Sequence, residues 1–207
     1  MKDYGFIRVA AAVPEVRVAS VGHNVADICR LIEEAAGKEA AIVVFPELSV
    51  TGATCADLFF NRHLTRSAED GIAGIAKFTS GKDLAVVVGA PVPVCGKLYS
   101  CAVVIKDGKV AGIVPKKCIS AENRRWFASG ADLTDYDVIT YAGQECEISP
   151  DLHFKVGKGV FAIQVGEDVT VPEAFMSICS SAHMVLHLSS DIETLDSHKT
   201  VRESLAH

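Results

Sequence analysis

An apolar run, Ala41-Ile42-Val43-Val44-Phe45, constrains this chain more than any other stretch. It stops at Pro46-Glu47 and opens into Leu48-Ser49-Val50-Thr51-Gly52. A β-branched run with no polar alternation reads as a strand covered on both faces of a sheet. Open α/β architectures keep their chemistry where such strands leave the core, so Glu47 is the first candidate residue. A lone Pro-Glu pair would read as a surface or capping residue. The small-residue loop behind it changes the balance, because such loops let backbone approach something closely. A carboxylate in that position can serve as a general base.

The rest of the chain supplies partners for that strand. Phe6 to Val13 is a strand signal closed by Pro14. His23 to Gly37 carries helical spacing through Val25, Ile28, Ile32 and Ala35, with Asn24 as expected N-cap and Gly37 as expected stop. Helical segments are expected from about Cys55 to Phe78, and Leu84 to Ala90 is the third strand. Leu98 to Ile105 and Lys109 to Val114 flank Lys106-Asp107-Gly108, a hairpin cue. Gly159 to Val165 and Met184 to Ser189 read as strands around a helix from Val171 to Ser181. Ala131 to Val156 is weakly patterned and reads as irregular strand and loop. Strands alternating with helices, with one inserted hairpin, predict a layered α/β protein in a single domain spanning residues 1–207.

Composition removes several function classes. Apolar residues are 49% of the chain and mean hydropathy is +0.28, which suits sheets buried on both faces. A net charge of −6 leaves no basic stripe for nucleic acid. The apolar runs are too short to span a bilayer, and no secretory segment is expected before the first strand. A cytoplasmic protein without membrane or nucleic-acid partners is expected. Seven cysteines (Cys29, Cys55, Cys95, Cys101, Cys118, Cys146 and Cys179) form no CxxC pair, so reduced thiols are expected rather than disulfides or zinc. His183 and His187 lie in a strand-like segment and make a weak metal pair. No metal site is expected.

Two further strand ends carry chemistry-bearing side chains. Lys116 follows Val114-Pro115, and a lysine leaving a sheet beside a carboxylate can donate hydrogen bonds to a developing oxyanion. Spacing alone favours a solvated Lys116-Lys117 pair. Val165-Gly166-Glu167-Asp168 is the other end, where a nucleophile would complete a hydrolase site. Gly166 has no side chain, and spacing alone favours a turn glycine before an acidic loop.

With these ends marked, the chain resembles the nitrilase superfamily and, more narrowly, the glutaminase domain at the N-terminus of glutamine-dependent NAD synthetases. The matching stretches are FPELSVTGATCADLFF (45–60), LYSCAVVIKDGKVAGIVPK (98–116), RRWFASG (124–130) and VGEDVTVP (165–172). The resemblance implies a four-layer αββα sandwich, C-terminally incomplete here, with a Glu-Lys-Cys site. Glu47 would be general base and acid, Lys116 the oxyanion-side lysine, and Gly166 the position of the nucleophilic cysteine. Glu167, Ser189 and Asp191 would contact substrate. Glutamine would be hydrolysed to glutamate and ammonia. No cofactor is expected in this domain. ATP and magnesium would serve a C-terminal synthetase domain, which would take the ammonia to amidate nicotinic acid adenine dinucleotide. A homo-oligomer is expected.

This chain departs from that pattern in ways that bear on chemistry. Gly166-Glu167-Asp168 stands where the family has Cys-Glu-Asp, and Cys118 lies on a different segment. Ala53 replaces an aromatic, and Cys118 to Asn123 is a shortened loop where the family carries an additional acid and an aromatic lid. The last strand ends in Ser189-Ser190-Asp191, a change at the glutamine-recognition end. Without its thiol the chain is expected to lose the covalent route. Three readings follow: a glutaminase domain with an altered nucleophile position, a nitrilase-like structural or assembly module without catalysis, and a free-standing small-amide hydrolase. The CADLFF extension disfavours the third.

Overall fold

The run before Glu47 forms an inner strand of a seven-stranded sheet in the computed structural model, which describes residues 6–133, 137–171, 178, 180–190, 199 and 202–203. The sheet is built from β1 (Val9–Ala11), β2 (Ile42–Val44), β3 (Ala85–Val94), β4 (Lys97–Lys106), β5 (Lys109–Pro115), β6 (Asp137–Tyr141) and β7 (Gln144–Ile148). Their spatial order is β1-β2-β3-β4-β5-β7-β6. The first three strands run parallel, and β3, β4 and β5 form an antiparallel meander. A second sheet contains β8 (His153–Val156), β9 (Gly159–Val165) and β10 (Met184–Leu188), with β9 central and parallel to β10.

Alternation along the inner strands directs residues to two different cores. On one face, Val43, Phe45, Val86, Val88, Val103 and Ile105 pack against α1 (Val21–Gly37) and α2 (Arg62–Thr79). The helices contribute Ile28, Ile32, Ile72 and Ile75, all fully buried. Burying such a side chain contributes about 1.5–3 kcal/mol. A helix cap contributes about 1 kcal/mol, and Ser20 before α1 makes no side-chain cap bond. The apolar stripe therefore holds α1 in place. On the other face, Ile42, Val87, Ala102, Val104 and Val114 meet Phe161, Ile163, Val165, Leu186 and Leu188 of the second sheet. The described residues thus form an α/β sandwich with helix, sheet and sheet layers. The helix expected over Val171 to Ser181 lies mostly outside them. Among the described residues no helix is long and apolar enough to cross a membrane.

Several expectations need correction. The first strand is only Val9–Ala11 and the last ends at Leu188. Helix α1 begins at Val21, one turn before the expected Asn24 cap. Asn24 is instead fully buried, donating to the carbonyls of Arg17 and Val50 and accepting from the Arg17 amide. Ala131 to Val156 contains three regular strands rather than irregular chain. Two of them turn at Ala142-Gly143 (φ +53° and +72°), as β3 and β4 turn at Cys95-Gly96 (φ +47° and +79°). Both are two-residue turns with positive φ at each central position. Ala and Cys give no sequence signal for that backbone, unlike Asp107-Gly108. Strand β3 also continues through Pro91 and Pro93. Val87 and Gly89, of the same parity, aim their carbonyls away from β4 toward Phe45 and Val50, so a proline there removes no bond to β4.

Candidate active site

Glu47 reaches its position because β3 has no side chain beneath it. A Cβ at Gly89 would stand 2.3 Å from Leu48 N, 2.5 Å from Pro46 O and 2.6 Å from Glu47 Cα. Only glycine lets the 46–48 backbone lie on β3. Phe45 N then donates to Val87 O and Val50 N to Gly89 O. Leu48 adopts φ +54°, turning the chain sharply after the carboxylate. The Glu47 side chain is 4% exposed, and three donors converge on it. Oε1 accepts from Ser100 Oγ at 2.7 Å and Lys116 Nζ at 3.3 Å, and Oε2 accepts from Ser190 Oγ at 3.2 Å.

Lys116 leaves the end of β5 with its amide bonded to Ser100 O at 2.8 Å. Its side chain is 2% exposed and runs between two carboxylates, Glu47 at 3.3 Å and Glu167 Oε2 at 2.5 Å. Ionising one buried lysine is sustained by close opposite charge. Here one lysine stands within ion-pair distance of two acidic side chains. Glu167 belongs to the 3₁₀ turn Gly166–Thr170 that follows β9, so the Lys116–Glu167 pair also ties one sheet to the other.

Gly166 opens that turn in left-handed backbone, φ +55°. A Cβ built there would point into the cluster, 2.2 Å from Lys116 Nζ, 2.6 Å from Lys116 Cε and 2.9 Å from Glu47 Oε2. Three strand ends that are far apart in sequence therefore meet at one point. The next residue but one fastens them. Asp168 accepts from the backbone amides of Lys117 at 3.1 Å and Cys118 at 2.6 Å. Burial pushes the Asp168 carboxyl above its ordinary value, against the pull of those donors.

Among the described residues, neither Cys118 nor Cys101 replaces a nucleophile at residue 166. Burial first, and the Asp168 charge second, push Cys118 up to about 11, so it stays protonated at neutral pH. Cys101 is fully buried, and burial with the Glu47 charge pushes it well above the ordinary thiol range. The two histidines also act separately: His187 Nε2 bonds Gly166 O at 2.8 Å, and His183 Nδ1 bonds Val160 N at 3.2 Å.

Of the residues singled out by sequence, Glu47, Lys116, Gly166 and Glu167 are brought together. Ser189 follows β10, whose Leu188 pairs with Val165, and it is half-buried. Its neighbour Ser190 is the residue that bonds Glu47. Asp191 lies outside the described residues. Sequence reading missed Gly89, Ser100, Ser190 and the anchoring role of Asp168. Ser100 and Gly89 sit in apolar strands, and that mismatch was the available signal.

Comparison with known proteins shows the family. The carbon-nitrogen hydrolase family model matches residues 8–184. A glutamine-dependent NAD(+) synthetase of Mycobacterium tuberculosis is 30% identical over 179 residues, covering 82% of this chain and 26% of that protein. The structure of a glutamine-dependent NAD(+) synthetase from Cytophaga hutchinsonii superposes with a TM-score of 0.82 at 24% identity, covering 96% of this chain and 33% of that one. An amidase from Nesterenkonia sp. superposes with a TM-score of 0.70 at 18% identity, covering 93% and 68%. The chain spans roughly a quarter to a third of the length of the curated synthetases it matches. It belongs to the carbon-nitrogen hydrolase family and is homologous to the glutaminase domain of glutamine-dependent NAD(+) synthetases.

Proposed function

We propose that this chain is a glutaminase-type domain built to cleave the side-chain amide of glutamine, with its nucleophile position occupied by Gly166. The observation that carries this reading is the direction of the absent Cβ, which aims between Glu47 and Lys116. A thiol on that carbon would lie beside a base able to take its proton. Lys116 would donate to the tetrahedral oxyanion, and Glu47 would hand its proton to the departing ammonia. With glycine there, no thioester forms and turnover by that route is absent. In the parent protein the ammonia would pass to an ATP- and magnesium-dependent synthetase domain for amidation of nicotinic acid adenine dinucleotide, in a cytoplasmic homo-oligomer.

The experiment is Gly166→Cys, assayed for glutamine-dependent ammonia release. Release above the unaltered chain supports the reading. A folded variant that releases none counts against it.

A second reading, a non-catalytic module of the same fold, is favoured by one feature. Lys116 Nζ already stands within 2.2 Å of where a Cβ would be, and its pair with Glu167 joins the two sheets. In that case the cluster is a structural tie, and Gly166→Cys would displace the lysine without producing activity.

A further inference from the structure

Two sequence signatures left unused by the chemistry above, CADLFF and RRWFASG, meet at the surface. Asp57 lies in the 3₁₀ turn Ala56–Phe60. Its Oδ1 accepts from Arg125 Nε at 2.8 Å and Trp126 Nε1 at 2.9 Å, and its Oδ2 accepts from Arg125 Nη2 at 2.9 Å. Phe59 meets Phe127 edge to face at 4.8 Å between centroids, with Trp126 tilted at 6.5 Å. An exposed ion pair contributes little unless it is fork-shaped or networked. This one is both, with a third donor on the same carboxylate.

The far end of the second signature grips the lysine loop. Ser129 Oγ donates to Lys117 O at 2.5 Å, and Gly130 N donates to Lys116 O at 2.7 Å. Gly130 permits that approach, since a Cβ there would lie 2.9 Å from Lys116 O. Asp168 holds the amides of Lys117 and Cys118 on the other side. The carbonyls of Lys116 and Lys117 are therefore held by the 124–130 segment, and the amides of Lys117 and Cys118 by the turn at Gly166.

We propose that Asp57 is a positioning residue for Lys116. By fixing Arg125 and Trp126 it seats the 124–130 segment, whose Ser129 and Gly130 set the direction in which the lysine leaves β5 toward Glu47. This rests on the reading of Lys116 as the oxyanion-side lysine. Asp57 touches no reacting atom itself.

The test uses the chain as it stands. Lysines are pulse-labelled with acetic anhydride and read residue by residue by mass spectrometry, alongside amide exchange of β4, in Asp57→Ala and Asp57→Glu. Lys116 is 2% exposed and starts protected. The expected result is a tenfold or greater rise in Lys116 labelling in Asp57→Ala, with Lys106, Lys109 and β4 exchange unchanged and protection recovered in Asp57→Glu. Unchanged labelling in a folded Asp57→Ala overturns the proposal, as does loss of β4 protection in step with Lys116, which would mark a general structural role. Should Asp57→Ala fail to fold, Arg125→Lys, which keeps the charge and loses the fork, is read by the same criteria. In the Gly166→Cys background, Asp57→Asn is expected to lower turnover about tenfold with half-saturation by glutamine unmoved. If Gly166→Cys releases no ammonia, the glutaminase reading fails, and the labelling still decides the role of Asp57.

Discussion

Gly166 faces Lys116 so closely that a side chain at 166 and the lysine tip cannot both keep their places: the gap from an added Cβ to Nζ is 2.2 Å. The obstacle is the far end of a flexible side chain, so it can yield. Left-handed backbone at φ +55° cannot yield as easily, and there an L-residue costs about 1–2 kcal/mol. Gly166→Ala is expected to destabilise by about that amount in urea denaturation. In a double-mutant cycle with Lys116→Ala, a coupling of about 0.5 kcal/mol or more is expected for side chains in contact. Strict additivity would show that the lysine tip does not occupy the site.

Removing the ammonium leaves Glu47 buried among hydroxyls and Glu167 without its 2.5 Å partner. Breaking a buried pair from one side costs about 3–5 kcal/mol. Glu167 is 30% exposed and can turn to solvent, which places Lys116→Met at the low end. Adding Glu47→Gln should recover part of the loss, as measured by the denaturation midpoint. In the Gly166→Cys background, Lys116→Met is expected to lower turnover roughly 10²–10³-fold, the effect of losing an oxyanion donor.

Gly89 is expected to be intolerant of any side chain. The atoms an alanine Cβ would meet within 2.3–2.6 Å are backbone, which cannot swing aside. Overpacking penalties run about 1–3 kcal/mol, and Gly89→Ala should lie at or above the top of that range. The displaced backbone carries Glu47, so Gly89→Ala should also abolish any ammonia release gained by Gly166→Cys. Retained stability within about 0.5 kcal/mol, the usual scatter for substitutions at uncrowded positions, would contradict the account of how Glu47 is seated.

Two carboxylates should act with opposite sign as the pH falls. Arg125 first, and Trp126 second, hold Asp57 down at about 2, below its ordinary 3.8. Its contribution is complete above the ordinary value and is lost as pH falls from near 4 through about 2. Asp168 is raised by burial, so its protonated form suits the fold better. The stability linked to it is full below 3.8 and is lost as pH rises through its elevated native value. Denaturation midpoints of Asp57→Asn and Asp168→Asn between pH 2 and 6 should deviate from the unaltered chain in opposite directions.

Much of the framework was legible because strand signals are local. Val43 to Phe45 and Gly159 to Val165 announce themselves by apolar content, and Asp107-Gly108 announces its hairpin by residue type. Ala142-Gly143 and Cys95-Gly96 adopt the same turn without that announcement, which is why β6 and β7 went unread. The Asn24 expectation failed because a buried asparagine and an N-cap asparagine look alike until its partners, Arg17 and Val50, are placed beside it.

By itself, then, the sequence determined which strand ends carry an acid, an ammonium and a bare glycine, since period and composition within a few residues settle where a strand leaves the core. Only the tertiary structure decided that these ends meet. The meander sets β5 two strands from β3, and the second sheet packs so that Gly166 lies over Lys116. It also drew in Ser100, Ser190 and Asp168, whose side chains carry meaning only once a partner about 3 Å away is known. Long-range pairing selects those partners, and no local pattern encodes it.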